Sequence, residues 1–191
     1  MVGRRAASRD PRDGERGTAL VEFAIVVPLF LMLVFGVIAF GVTYNDYISV
    51  RQGAREAARQ GAVGDFAPAY TTGVPCYLTG ASAASSNIKN LICLAKNQIG
   101  LDATNTRVKV LSGAPNFIDP GTFQKGESLI VCAQYPLDAV SGVIAPFLSD
   151  AFLRTKTSIR IEKSDISATG GEETALSGSD WSWCTVSGSS P

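Results

Sequence analysis

Histidine is absent from the 191 residues. That removes the commonest general base, the Ser-His and Cys-His nucleophile pairs and the usual imidazole metal sites, which weighs against catalysis without excluding it. Nucleophile elbows of the form G-x-S-x-G are missing too, and the aspartates are scattered, so a serine- or aspartate-based hydrolase has no motif behind it. Net charge is zero, with 17 basic and 17 acidic side chains and no clustered basic face of the kind that nucleic acid requires. Cysteine is sparse: Cys76, Cys93, Cys132 and Cys184, spaced by 17, 39 and 52 residues, form no C-x-x-C pair. A zinc or thioredoxin-like site is therefore a poor reading. Nothing in the chain points to a metal, a cofactor or a small-molecule substrate.

One long apolar run is present. Ala24 to Val42 holds 19 uncharged residues, about the length that crosses a bilayer core as a helix. Five arginines (Arg4, Arg5, Arg9, Arg12, Arg16) precede it and only Arg51, Arg55 and Arg59 follow closely. All four cysteines lie after it. Positive charge before the run and cysteines beyond it agree on a cytoplasmic N-terminus and an extracytoplasmic remainder. A cleaved secretory signal is the competing reading, but its apolar region is about 7–15 residues and ends at a small-x-small site. Tyr44-Asn45-Asp46-Tyr47 offers no such site. A retained anchor in contact with membrane lipid is the better fit.

An even number of widely spaced cysteines outside the membrane reads as two disulfides. Three pairings are possible; we favour Cys76–Cys93 with Cys132–Cys184, against the alternative of four reduced, buried thiols. Glu22 is harder to place. A carboxylate at mid-membrane depth costs about 2.5–3.5 kcal/mol on insertion scales, and an ordinary anchor has no reason to carry one.

The organisation expected along the chain is α+β. Residues 1–17 read as a polar, disordered leader. A helix begins at Thr18, crosses the membrane to about residue 43 and continues outside over 44–62. Pro28 either kinks it or sets its packing on a partner. In the outer half Tyr44, Tyr47, Ile48, Ala54, Ala57, Ala58, Gly61 and Ala62 recur at helical spacing and make a small, apolar face for close packing. Arg51, Arg55 and Arg59 form a like-charged row on the opposite side, with Glu56 offsetting part of it. A continuous helix from Thr18 to Ala62 would be roughly 65 Å long.

A small domain over 63–163 follows. Ile88, Leu91, Ile92, Ala95 and Ile99 mark a helix across about Ala84–Ile99, stopped by Gly100. Thr106–Leu111, Ser128–Tyr135 and Thr155–Glu162 alternate as strands of an antiparallel sheet packed on the helices. Leu129, Val131, Ala133 and Tyr135 share one face of the second. Pro136–Asp150 is apolar, either a short helix or a loop touching membrane or partner. The tail, 164–191, is Gly/Ser-rich and expected to be irregular, with Trp181, Trp183 and Cys184 tying its end down.

The string G-T-A-L-V-E-F-A-I-V-V-P-L-F-L from Gly17, with R-Q-G-A-R-E-A-A-R-Q-G-A at 51–62, resembles TadE-like pseudopilins of the tight-adherence (Tad/Flp) pilus system. The resemblance covers Gly17–Ala62 well. The segment R-T-K-T-S-I-R-I-E matches weakly, and residues 64–150 and the tail are not covered. It implies that a prepilin peptidase cuts after Gly17, making Thr18 the new N-terminus and Glu22 the fifth mature residue, followed by Phe23. It further implies that Glu22 pairs with the N-terminal amine of a neighbouring pilin subunit and sets its axial register. The partners implied are the peptidase, other pilin subunits and the pilus assembly platform in a bacterial inner membrane, with no enzymatic activity. The alternative from a different class is a membrane-anchored adhesin or ligand-binding domain.

Overall fold

A computed structural model describes residues 12–66, 76–81, 84–113, 123–137, 151–163 and 170–185. The first part of the expected leader, residues 1–11, and the apolar segment 138–150 lie outside the described residues. Six elements follow in order: α1 (Arg12–Ala62), α2 (Ser86–Ile99), β1 (Arg107–Gly113), β2 (Ser128–Pro136), β3 (Phe152–Arg160) and β4 (Gly171–Glu172). The chain is α+β, and it divides into two compact units, residues 1–41 and 42–191.

In the first unit the chain is helical from Arg12, ahead of the expected start at Thr18. Gly17 costs a helix only about 1 kcal/mol and does not end one. Pro28 lies inside the helix, which continues on both sides of it. The most apolar 18-residue window of α1 has a mean hydropathy of 2.9, yet only 6% of it is buried. Leu20, Phe23, Leu29 and Phe40 are each 67–71% exposed. A core helix hides such side chains; one surrounded by lipid does not need to. The chain is membrane-anchored through this helix.

The second unit is built on a four-stranded antiparallel sheet of order β3-β2-β1-β4. β2 is central, so its side chains alternate between two covered faces. Leu129, Val131 and Ala133 point into the main core with Val108 and Val110 of β1. The full stripe of α2 packs there, together with Val50, Ala54, Ala57 and Ala58 of α1. Gly100 ends α2 in the left-handed region at φ 68°, its N–H donating to Lys96 O. This is the terminus that a glycine after the last apolar position predicts.

Two glycines let α1 approach its neighbours closely. A Cβ on Gly53 would lie 2.6 Å from the backbone nitrogen of Ile99, and one on Gly61 would meet Leu129 and Leu91 at 2.7 and 2.9 Å. The apolar face that the spacing suggests is buried over Ala54, Ala57, Ala58, Gly61 and Ala62, and it takes in Val50 and Gly53 as well. Tyr44 is 54% exposed and Ile48 is exposed as well, whereas Val50 is fully buried. Helical spacing identifies a face but not where along it the rest of a domain begins.

Strand boundaries needed correction at β3, which starts at Phe152 rather than Thr155 and ends at Arg160. Its inward side chains include Leu153 and Thr155, and Ile161 follows as a buried residue just past the strand. The tail is tied down at its end as expected, and it also contributes one short strand. Gly171–Glu172 adds β4 to the free edge of β1, and a second core lies behind it. There Trp181 and Cys184 pack on Ile130 and Cys132, the other face of β2. Trp183 and Leu111 complete the contact.

Both disulfides are formed in the favoured pairing. Cys76–Cys93 joins the segment before α2 to that helix with its Cα atoms 5.4 Å apart. Cys132–Cys184 joins β2 to the end of the tail at 6.1 Å. No free cysteine remains. Small domains whose cores are modest commonly rely on such cross-links.

Candidate functional site

The candidate residues fall in two places. Gly17, Thr18, Glu22, Phe23 and Pro28 lie on the first unit's helix, and Ala54 and Ala58 lie in the second.

Glu22 is the sole charged residue between Arg16 and Asp46. It is exposed on a helix whose neighbouring side chains are apolar: Leu20, Val21, Phe23, Ile25 and Val26 are all 60–69% exposed. Gly17 and Thr18 are exposed one turn earlier. An added Cβ at Gly17 meets nothing within 4 Å, so space does not demand glycine there. Among the described residues Glu22 makes no hydrogen bond or ion pair. A carboxylate on an apolar helix face is stabilised by an opposite charge from outside, provided the geometry compensates for desolvation. The arrangement can bind a positive group, and among the described residues no metal-ligand set lies beside it.

Ala54 and Ala58 are fully buried within their own domain, against α2 and the inner face of the sheet. The small-residue face at this level is thus occupied internally. Outside it, Arg59 grips Glu56 through two bonds, Nε to Oε2 at 3.0 Å and Nη2 to Oε1 at 2.7 Å, and Gln60 adds a third at 2.8 Å. Arg51 and Arg55 make no such contact among the described residues and stay exposed.

One polar centre was missed from the sequence. Lys96 and Glu173 form an ion pair at 2.7 Å with side chains 2% and 0% exposed. Lys96 Nζ also donates to Tyr77 O at 2.5 Å and Ala103 O at 3.1 Å. Glu173 accepts the backbone N–H of Thr79 at 3.0 Å and of Val108 at 2.9 Å. Its own carbonyl accepts the Trp181 indole N–H at 2.8 Å. Burial pushes the Lys96 ammonium below its ordinary range, opposed by the attraction of Glu173. The clue was present: Lys96 stands four residues after Ile92, on the buried stripe itself. With both side chains closed off from solvent, the centre offers no access to a substrate.

A family model described as TadE-like protein matches residues 17–59. No curated protein and no solved structure matches the chain. The matched span takes in every candidate residue of the helix, from Gly17 through Glu22 and Pro28 to Ala54 and Ala58, and leaves the sheet domain unmatched. Residues 17–59, which hold the apolar run of the helix, are thus similar to TadE-like protein.

Proposed function

We propose that this protein is a non-enzymatic minor pilin or pseudopilin that takes part in assembling or initiating a Tad-type surface pilus. A prepilin peptidase cuts it after Gly17 on the cytoplasmic side, leaving Thr18 as the new N-terminus and the sheet domain outside. Glu22 then accepts the α-amino group of a neighbouring subunit and fixes how far the two helices are offset. Phe23 and Pro28, on the same lipid-facing helix, contribute to the packing of helix on helix.

The observation that carries this reading is the lone carboxylate of Glu22, exposed on an apolar helix within the matched span. The offset of five residues from Gly17 supports the pairing, because the partner amine comes into being only at the cut. Two opposite charges in a medium of low dielectric attract strongly, and each satisfies a group that hydrocarbon would otherwise strand.

Glu22→Ala should abolish pilus assembly while leaving the protein in the membrane fraction at its normal level. Glu22→Asp, which keeps the charge but draws it back, should assemble poorly. Surface pili counted by electron microscopy, beside an immunoblot of membranes, read both. Normal piliation in Glu22→Ala would reject the mechanism and favour a simple membrane-anchored adhesin.

A further inference from the structure

β3 is an edge strand, paired with β2 on one side only. Among the described residues no backbone hydrogen bonds reach the other edge of residues 153–159. An unpaired edge presents a row of N–H and C=O groups able to take another strand. Beside it lies an open groove of about 920 Å³, at the upper end of the range for ligand sites. Its lining on β3 is Lys156, Thr157, Ser158 and Ile159, four residues in succession. Side chains of a strand alternate between faces, so a groove on one face would be lined by every second residue. Successive lining means that the groove runs along the edge.

The facing wall is the arginine row of α1: Arg51, Arg55 and Arg59. Lys156 lines it from the strand edge, and among the described residues Glu56 is the only acid on the lining. Glu56 is already engaged by Arg59 at 2.7 Å. Arg51, Arg55 and Lys156 have no hydrogen-bonding or ionic partner among the described residues. The end of α1 meets the chain just past β3, where Glu162 N donates to Ala62 O at 3.0 Å. Residues four apart on a helix advance by about 6 Å, and alternate residues of a strand by about 6.6 Å. The two repeats match over a pair of positions.

We propose that this groove is a docking site for an extended acidic segment of a partner protein, which adds to β3 as a fifth strand and sets acidic side chains, one residue apart, against Arg51 and Arg55. Main-chain pairing supplies the affinity common to strand addition, and the charges choose the partner and its register. A bare polyanion would use the arginines without the strand edge. The groove belongs to the sheet domain and needs no cut at Gly17, so its test stands apart from that of the pilin reading.

The test titrates full-length protein in detergent micelles into a fluorescein-labelled eight-residue peptide alternating glutamate with threonine. Its counterpart replaces glutamate by glutamine. Two further versions are N-methylated at alternate amides, one set per edge of the extended peptide. The glutamate peptide should bind at least tenfold more tightly than the glutamine one. The double variant Arg51→Gln/Arg55→Gln, checked by circular dichroism to be folded, should lose at least tenfold. One N-methyl set should abolish binding and the other leave it within about twofold, the signature of pairing along a single edge. Equal loss or equal tolerance in the two sets, or indifference to the arginine replacements, overturns the proposal. Binding of inorganic polyphosphate with no binding of the glutamate peptide overturns it in favour of a polyanion.

Discussion

Glu173→Ala should lower the stability of the sheet domain by about 3–5 kcal/mol, the usual cost of stranding one member of a buried ion pair. Three donors converge on this carboxylate: the Lys96 ammonium, Thr79 N–H and Val108 N–H. Removing it leaves a charge with only the Tyr77 and Ala103 carbonyls and orphans two buried amides. Replacing the pair together, as Lys96→Met/Glu173→Leu, should recover the charge contribution but not the amides, so the double variant stays below wild type. The loss should also depend on pH in a defined direction. With Glu173 gone, the largest opposition to burial is lost, and the folded-state pKa of Lys96 falls further below its ordinary 10.5. Between those two values the unfolded chain binds the extra proton. Stability of Glu173→Ala therefore rises as pH increases through the folded pKa toward the unfolded one. Urea midpoints of full-length protein in detergent, read by tryptophan fluorescence, check both points. A loss below about 1 kcal/mol would show that the centre is not what holds the tail in place.

Replacing Cys132 and Cys184 together by serine should cost about 4 kcal/mol, and replacing Cys76 and Cys93 about 3, by the loop-closure account for separations of 52 and 17 residues. The larger loop ties the tail to the central strand, where Cys184 and Trp181 cover Ile130. Losing it uncovers the second face of β2 and loosens the segment that delivers Glu173. For that reason the Cys132/Cys184 and Glu173→Ala effects should not add, because neighbours that hold the same segment share their energy. The same urea midpoints measure the cycle. Strict additivity would mean that tail and buried pair act independently.

Legibility from sequence followed the reach of each interaction. The helix of α2 and its glycine stop depend on residues within a few positions of one another, and they were readable. The disulfide pairing was a preference among three, supported by Cys93 lying beside a helical stripe near the loop with Cys76. What escaped depends on contacts distant in sequence. Lys96 meets Glu173 across 77 residues, and no local pattern announces that a lysine on an apolar stripe will find its partner in a Gly/Ser-rich tail. β4 is two residues long, and only its pairing opposite Lys109 and Val110 makes it a strand. Its Glu172 carboxylate meets Lys109 Nζ at 2.5 Å, a contact likewise invisible to periodicity. The alternation of β2 showed one covered face; the second became evident only once Trp181 and Cys184 were placed behind it.

At the candidate site the balance is reversed. Glu22 and Gly17 are conspicuous in sequence because a carboxylate interrupts an apolar run at a fixed offset from a glycine. A single chain, however, contains just one side of the contact proposed for them. The arginine row shows the opposite case. On the helix alone it reads as an ordinary solvated face, and only the edge of β3 beside it makes a groove.

The most direct measurement is the mass of the N-terminal peptide of this protein isolated from the membranes of a cell that assembles Tad pili. Our account predicts a chain beginning at Thr18, with Glu22 as its fifth residue. An intact leader ending in Arg16-Gly17 joined to Thr18 would contradict it, since the amine proposed to pair with Glu22 would never form.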